Sequence, residues 1–162
     1  MPSFEPNYPF TAFNFSVEIT VPGIRNGVLC DAAFSECDGL EMTMDTKTIR
    51  EGGNNTAQIR LLGPVNYGQL TLKRGLTSNF DLWSWFEAQQ FGTAQQLRNS
   101  FRGQVTVVLL SAQGKTKIAR WVLRNCLLTR LKAPPLNAKD GGVAIEELQI
   151  SYESMTLGDQ PS

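Results

Sequence analysis

Apolar and polar residues alternate with a period of two through most of this chain, and only one segment repeats at a helical spacing. Successive side chains of a strand point to opposite faces, so the alternation predicts a mainly β fold whose strands each bury one face. The clearest run sets Phe13, Phe15, Val17, Ile19 and Val21 against Asn14, Ser16, Glu18 and Thr20, and Pro22-Gly23 ends it. After a turn at Asn26-Gly27, residues 28–37 read as a less regular strand. Asp38-Gly39 then turns the chain into a strand in which Leu40, Met42 and Met44 face one way while Glu41, Thr43 and Asp45 face the other. Ile59 with Leu61, and Leu70 with Leu72, repeat the pattern on either side of a separating segment, Gly63-Pro64-Val65-Asn66-Tyr67-Gly68. Residues 104–112, 118–131 and 143–155 supply the remaining strands, punctuated by Gln113-Gly114-Lys115, Pro134-Pro135 and Asp140-Gly141-Gly142.

The helical exception lies at about 80–91. Ser78 or Asn79 can cap it, Asp81 suits its positive end, and Leu82, Trp85 and Phe86, with Gln89, share one face as its packing anchors. Trp83 and Trp85 read as core or subunit-interface anchors rather than a ligand platform. Beyond Gly92, the stretch with Gln95, Gln96, Arg98 and Arg102 reads as a solvated connection. One helix among roughly seven to nine strands indicates a β-barrel or sandwich of packed sheets.

The 162 residues suit one globular domain over 12–157, preceded by an extended arm at 1–11 with three prolines and followed by a short tail at 158–162. Fifteen basic residues balance fifteen acidic ones, so no net field draws nucleic acid or an anionic membrane from a distance. No apolar run reaches the ~20 residues needed to cross a bilayer. The start, Met1-Pro2-Ser3-Phe4-Glu5-Pro6, lacks the organisation of a signal peptide, which leads to the expectation of folding in the cytoplasm without membrane anchoring. Cys30, Cys37 and Cys126 then read as small apolar packers rather than a disulfide framework.

The inventory argues against catalysis. With no histidine, the chain lacks the commonest general base, the Ser-His-Asp and Cys-His arrangements and most transition-metal sites. No metal or cofactor is expected. Glu36, Asp38 and Glu41 cluster about a turn, where carboxylates are ordinarily solvated, and a glycosidase would need a facing pair at fixed separation. Gly52-Gly53 opens no helix and belongs to neither nucleotide-binding glycine motif. Lys73-Arg74, Arg120, Arg124, Arg130 and Lys132 place positive charge on strands, which leaves one alternative open: a monomeric β-barrel module for single-stranded nucleic acid. Between two strand patterns lies the polar segment Arg50-Glu51-Gly52-Gly53-Asn54-Asn55, whose glycines and paired amides suit a tip kept for contact.

Several blocks taken in order resemble the tail-tube proteins of contractile-tail phages and, more closely, the tube proteins of phage-derived contractile injection systems. They are Phe34-Ser35-Glu36-Cys37-Asp38-Gly39-Leu40-Glu41, Ile49-Arg50-Glu51-Gly52-Gly53-Asn54-Asn55, Leu61-Leu62-Gly63-Pro64, Leu70-Thr71-Leu72-Lys73-Arg74-Gly75, Trp83-Ser84-Trp85-Phe86, Ala119-Arg120-Trp121-Val122-Leu123 and Val143-Ala144-Ile145-Glu146-Glu147-Leu148-Gln149-Ile150. Together they span about residues 10–157. The resemblance implies a β-barrel of two packed antiparallel sheets with one flanking helix. It also implies six-membered rings stacked as the inner tube of a phage tail or injection particle. The partners it implies are other copies of the chain, the sheath, spike or baseplate, and a cargo of DNA or protein in the lumen. Residues Arg50 to Asn55 would then touch a neighbouring subunit or ring. Leu109-Leu110-Ser111-Ala112-Gln113-Gly114 departs from the family in lacking its acidic turn, which admits a tube-initiator ring beside the bulk subunit.

Overall fold

The computed structural model describes residues 14–30, 34–50, 52–53, 58–76, 79–139 and 141–158, so the expected arm at 1–11 and all of the tail but Gly158 fall outside it. One long strand, β8 (Lys117–Lys132), belongs to two layers. Its first half pairs antiparallel with β7 (Gly103–Leu110) on one side and β10 (Ser154–Leu157) on the other. Beyond β7 lie β1 (Phe15–Thr20) and then β2 (Val28–Cys30). The second half pairs with β9 (Ile145–Ser151), followed by β6 (Gln69–Gly75) and β3 (Phe34–Asp38). Between the halves sits Asn125 with φ 54, a left-handed conformation that asparagine tolerates better than most residues. There β8 leaves one layer and enters the other.

The two layers face each other over one apolar core. Val17, Ile19, Val105, Val107 and Leu123 come from the first, Leu70, Leu72, Leu128, Leu148 and Ile150 from the second. Among the described residues the layers do not close into a barrel: β2, β3 and β10 each pair on one side only.

Helix α1 (Asp81–Phe91) plugs the core with Leu82 and Trp85, both 0% exposed, while half-buried Phe86 packs against it. Trp85 also donates its Nε1 hydrogen to the Phe101 carbonyl at 2.8 Å. At the helix start the N-cap position is Phe80, and the Asn79 Oδ1 accepts the Asp81 N–H at 2.9 Å.

Four details depart from the sequence reading. A second helix, α2 (Ala94–Asn99), occupies the stretch read as a solvated connection. Thr93 and Gln96 explain it: each side chain takes the other's backbone N–H in a capping box, which satisfies donors that a helix start leaves open. Residues 28–37 form not one strand but β2 and β3, which join different layers. Residues 143–155 likewise break at Tyr152-Glu153, where β9 gives way to β10. Finally, Gly63-Pro64 ends nothing. It lies within a strand, β5 (Ile59–Tyr67), where the pairing slips by one residue and the lack of a proline N–H is tolerated.

Candidate assembly surface

β5 pairs only with β4 (Met42–Ile49), and the two form a separate antiparallel arm. Every residue of β4 is exposed, which overturns the expectation of a half-buried strand. The alternation is real, but among the described residues nothing covers the apolar side chains. Met42, Met44, Ile49, Ile59, Leu61, Leu62 and Val65 all stand exposed, Leu62 at 74%. An isolated two-stranded hairpin is at best marginally stable in water, and so many exposed apolar residues on one arm are the composition of an interaction site.

The register divides the apolar residues between two faces. Met42 lies opposite Tyr67 and Met44 opposite Val65, so all four share a face near the root. Toward the tip, Lys47 lies opposite Leu61 and Ile49 opposite Ile59. Since β4 keeps its alternation while β5 takes the extra residue, the tip group points to the other side of the ribbon.

The arm is fixed at its root by Tyr152. Its hydroxyl lies 2.8 Å from the Gly39 carbonyl and 3.0 Å from that of Glu41, and accepts the Glu41 N–H at 3.2 Å. Its ring tilts against Tyr67 with centroids 5.5 Å apart. Gly39 has φ +97, and a Cβ there would sit 1.9 Å from the Gln69 carbonyl oxygen, so only glycine lets the arm leave the body at this point.

Of the six residues read as a contact tip, Arg50 is exposed just beyond β4, and Gly52 and Gly53 form an exposed turn. Gly53 has φ +97. Glu51, Asn54 and Asn55 lie outside the described residues. The other proposed anchors, Leu82, Trp85 and Phe86, sit apart from the arm in the core beneath α1.

Two groups make contacts that the sequence reading missed. Arg74 and Glu146 face each other across β6 and β9, each side chain 1% exposed, with Nε to Oε2 at 2.9 Å. Arg74 further donates to Cys30 Sγ at 3.0 Å and to the Asn79 carbonyl at 3.1 Å, and its guanidinium lies 6.0 Å from the Phe34 ring centroid. Trp83 completes the set by donating Nε1–H to Glu146 Oε1 at 2.9 Å. The network ties α1 to both strands below it. A signal was present: Arg74 follows Leu70 and Leu72 in parity, as Glu146 precedes Leu148 and Ile150, which puts opposite charges on two inward faces. Gln89 is the second. Its Nε2 donates to the Leu128 carbonyl at 2.7 Å and its Oε1 accepts the Leu128 N–H at 2.8 Å, so the side chain stands in for a strand along β8.

Chemically the surface is quiet. Glu36 is taken up in an ion pair with Lys73 at 3.3 Å. Among the described residues no cluster of side chains could hold a metal ion, and no helix is long and apolar enough to cross a membrane. All three cysteines are free. Burial, with the Asp38 charge added, raises the Cys37 thiol from 9.0 to about 11, and burial raises Cys126 to about 12. Alkylation of Cys37 in the folded monomer at pH 8, followed by mass spectrometry, should therefore run about a hundredfold slower than for an ordinary thiol. Because the folded state holds these protons more tightly than the unfolded one, stability is full below pH 9 and falls as pH rises toward 12.

Among the described residues the chain is a two-layer β body with unpaired edges and an uncovered apolar arm. The family model for the T4-like virus tail tube protein gp19 matches residues 11–156, and the chain belongs to that family. No curated protein matches it. Among solved structures, a chain of the anti-feeding prophage baseplate is similar at 26% identity and TM-score 0.75, over 93% of this chain and 96% of that one. A chain of the PVC extracellular contractile injection system, in its extended sheath-tube complex, is similar at 20% identity and TM-score 0.74, over 94% and 93%. Another, from the PVC sheath/tube terminator, shows 20% identity and TM-score 0.75 over 96% and 100%. These matches give no support to the alternative of a nucleic-acid-binding module.

Proposed function

We propose that this tail tube protein builds the inner tube of a phage-tail-like contractile injection system by closing into six-membered rings that stack, as bulk subunit or initiating ring. The arm carries this reading. Its apolar residues have no partner among the described residues, so a second copy that covers them would supply the missing half of a core. The free edges of β2 and β3 point the same way, since an unpaired edge is a template for another strand. Residues Arg50, Glu51, Gly52, Gly53, Asn54 and Asn55, at the end of the arm, would touch the next subunit or the next ring. Sheath and baseplate proteins would meet the assembled tube from outside, and DNA or a protein effector would pass within. Assembly would take place in the cytoplasm, and no step requires catalysis or a cofactor.

Negative-stain imaging of the purified chain, alone and with spike and sheath partners, tests the proposal. Rings or tubes are expected; a monomer that persists at high concentration in every mixture would refute it. Replacing Gly52 and Gly53 with valine should reduce stacking while leaving monomer unfolding unchanged. Both positions have open space for a Cβ, but Gly53 has φ +97, which valine resists, so the strain falls on the tip alone.

A further inference from the structure

A second apolar surface lies on the body. Leu76, Phe80, Trp83, Pro134 and Leu136 line a groove of about 430 Å³ beside α1, with Glu87 as its one acidic residue. Leu136 is 91% exposed and Phe80 57%, although Trp83 beneath them is held by Glu146. The groove is therefore a firm floor with open walls.

The tip of the arm matches it in kind. Ile49, Ile59 and Leu61 share one face, and Lys47, directly opposite Leu61, is the basic residue on that face. Three apolar side chains and one base thus confront an apolar groove with one acid. Among the described residues neither Lys47 nor Glu87 belongs to an ion pair. The seven steps from Met42 to Ile49 carry the tip roughly 23 Å from the root at ~3.3 Å per residue. Among the described residues both surfaces stay uncovered.

We propose that the groove beside α1 receives the tip of a second copy's arm, with Lys47 against Glu87 and Ile49, Ile59 and Leu61 against Phe80 and Leu136. This rests on the reading of the arm as a contact between copies. Arm and groove are different surfaces of one chain, so the contact is head-to-tail and each copy that donates a tip also accepts one. Apolar burial supplies the hold, while the single charge pair fixes the register of the ribbon in the groove. The root face, with Met42, Met44 and Val65, points away from this contact and is left for another.

Charge exchange tests the pairing. Lys47→Glu and Glu87→Lys should each lower the assembled fraction, read by sedimentation, about tenfold, because like charges then meet at a desolvating contact. The double exchange should return it to within about twofold of the parent. Parental assembly by both single variants, or no recovery in the double, would overturn the proposal.

Cross-linking supplies a readout that does not depend on tubes. In a Cys37→Ser background, chains carrying Leu61→Cys and chains carrying Leu136→Cys are tagged differently, mixed and oxidised. A mixed disulfide dimer is expected, and its absence would overturn the docking whether or not tubes form. Tubes without the cross-link refute the groove and spare the tube reading. The cross-link without rings or tubes, even with partner proteins, supports the groove and refutes the tube reading.

Discussion

Glu146→Ala is expected to destabilise the folded monomer by about 3–5 kcal/mol, the usual result of removing one partner from a buried ion pair. Out of a total stability of about 5–15 kcal/mol, such a loss leaves a marginal protein at 37 °C. The cause is what remains. Among the described residues the Arg74 guanidinium, 1% exposed, keeps only Cys30 Sγ and the Asn79 carbonyl as acceptors, and Trp83 Nε1 loses its partner. Replacing both charges, as Arg74→Met with Glu146→Leu, should recover most of the loss, since it buries apolar groups where ions stood. Urea unfolding midpoints of the three proteins decide the matter. A cost below about 1 kcal/mol for Glu146→Ala would show that water or a shifted side chain replaces the lost carboxylate.

The second large effect concerns assembly rather than folding. Excising residues 43–66 and joining Met42 to Tyr67 through two glycines should abolish rings and tubes while leaving the monomer's thermal unfolding nearly unchanged. Met42 and Tyr67 are directly paired, so a two-residue connection spans the gap between them. The described strands of the excised segment pair only with each other, while the root contacts of Tyr152 with Gly39, Glu41 and Tyr67 are kept. Calorimetry and negative-stain imaging of one preparation provide both readouts. A monomer that unfolds with the arm removed would make the arm structural, and tubes without it would remove its role between copies.

The outcome marks where sequence is legible. Alternation located β1, β6 and β8 because each covers one face with its own core, and Leu82 and Trp85 announced α1 by spacing. The same alternation misled at Met42 and Met44: a strand that packs on a core and one whose apolar side chains stand exposed carry the same pattern. Gly63-Pro64 looked like a turn because a glycine and a proline disrupt a ladder equally well at a bulge. The order of the strands could not be read, since β9 lies between β6 and β8 through pairings remote in sequence. Helix α2 was readable in principle from Thr93 and Gln96, but six residues with none buried show no apolar face. Of the proposed assembly surface, only the polar composition of Arg50 to Asn55 stood out in the sequence. Arg74 and Glu146 were hidden because charged residues on regular elements pass for solvated ones unless their parity is followed, while Gln89 was placed on the packing face of its helix without its contact to β8.

Asn125 lets β8 run unbroken from one layer into the other, and this has a mechanical consequence. Two sheets joined only by loops can slide over their shared core at the cost of side-chain repacking. Here any such shear must pull on the backbone of a strand laddered at both ends, so load applied to one layer passes directly into the other. A subunit stitched in this way yields as one piece or not at all, a suitable property for a wall that is pushed from behind.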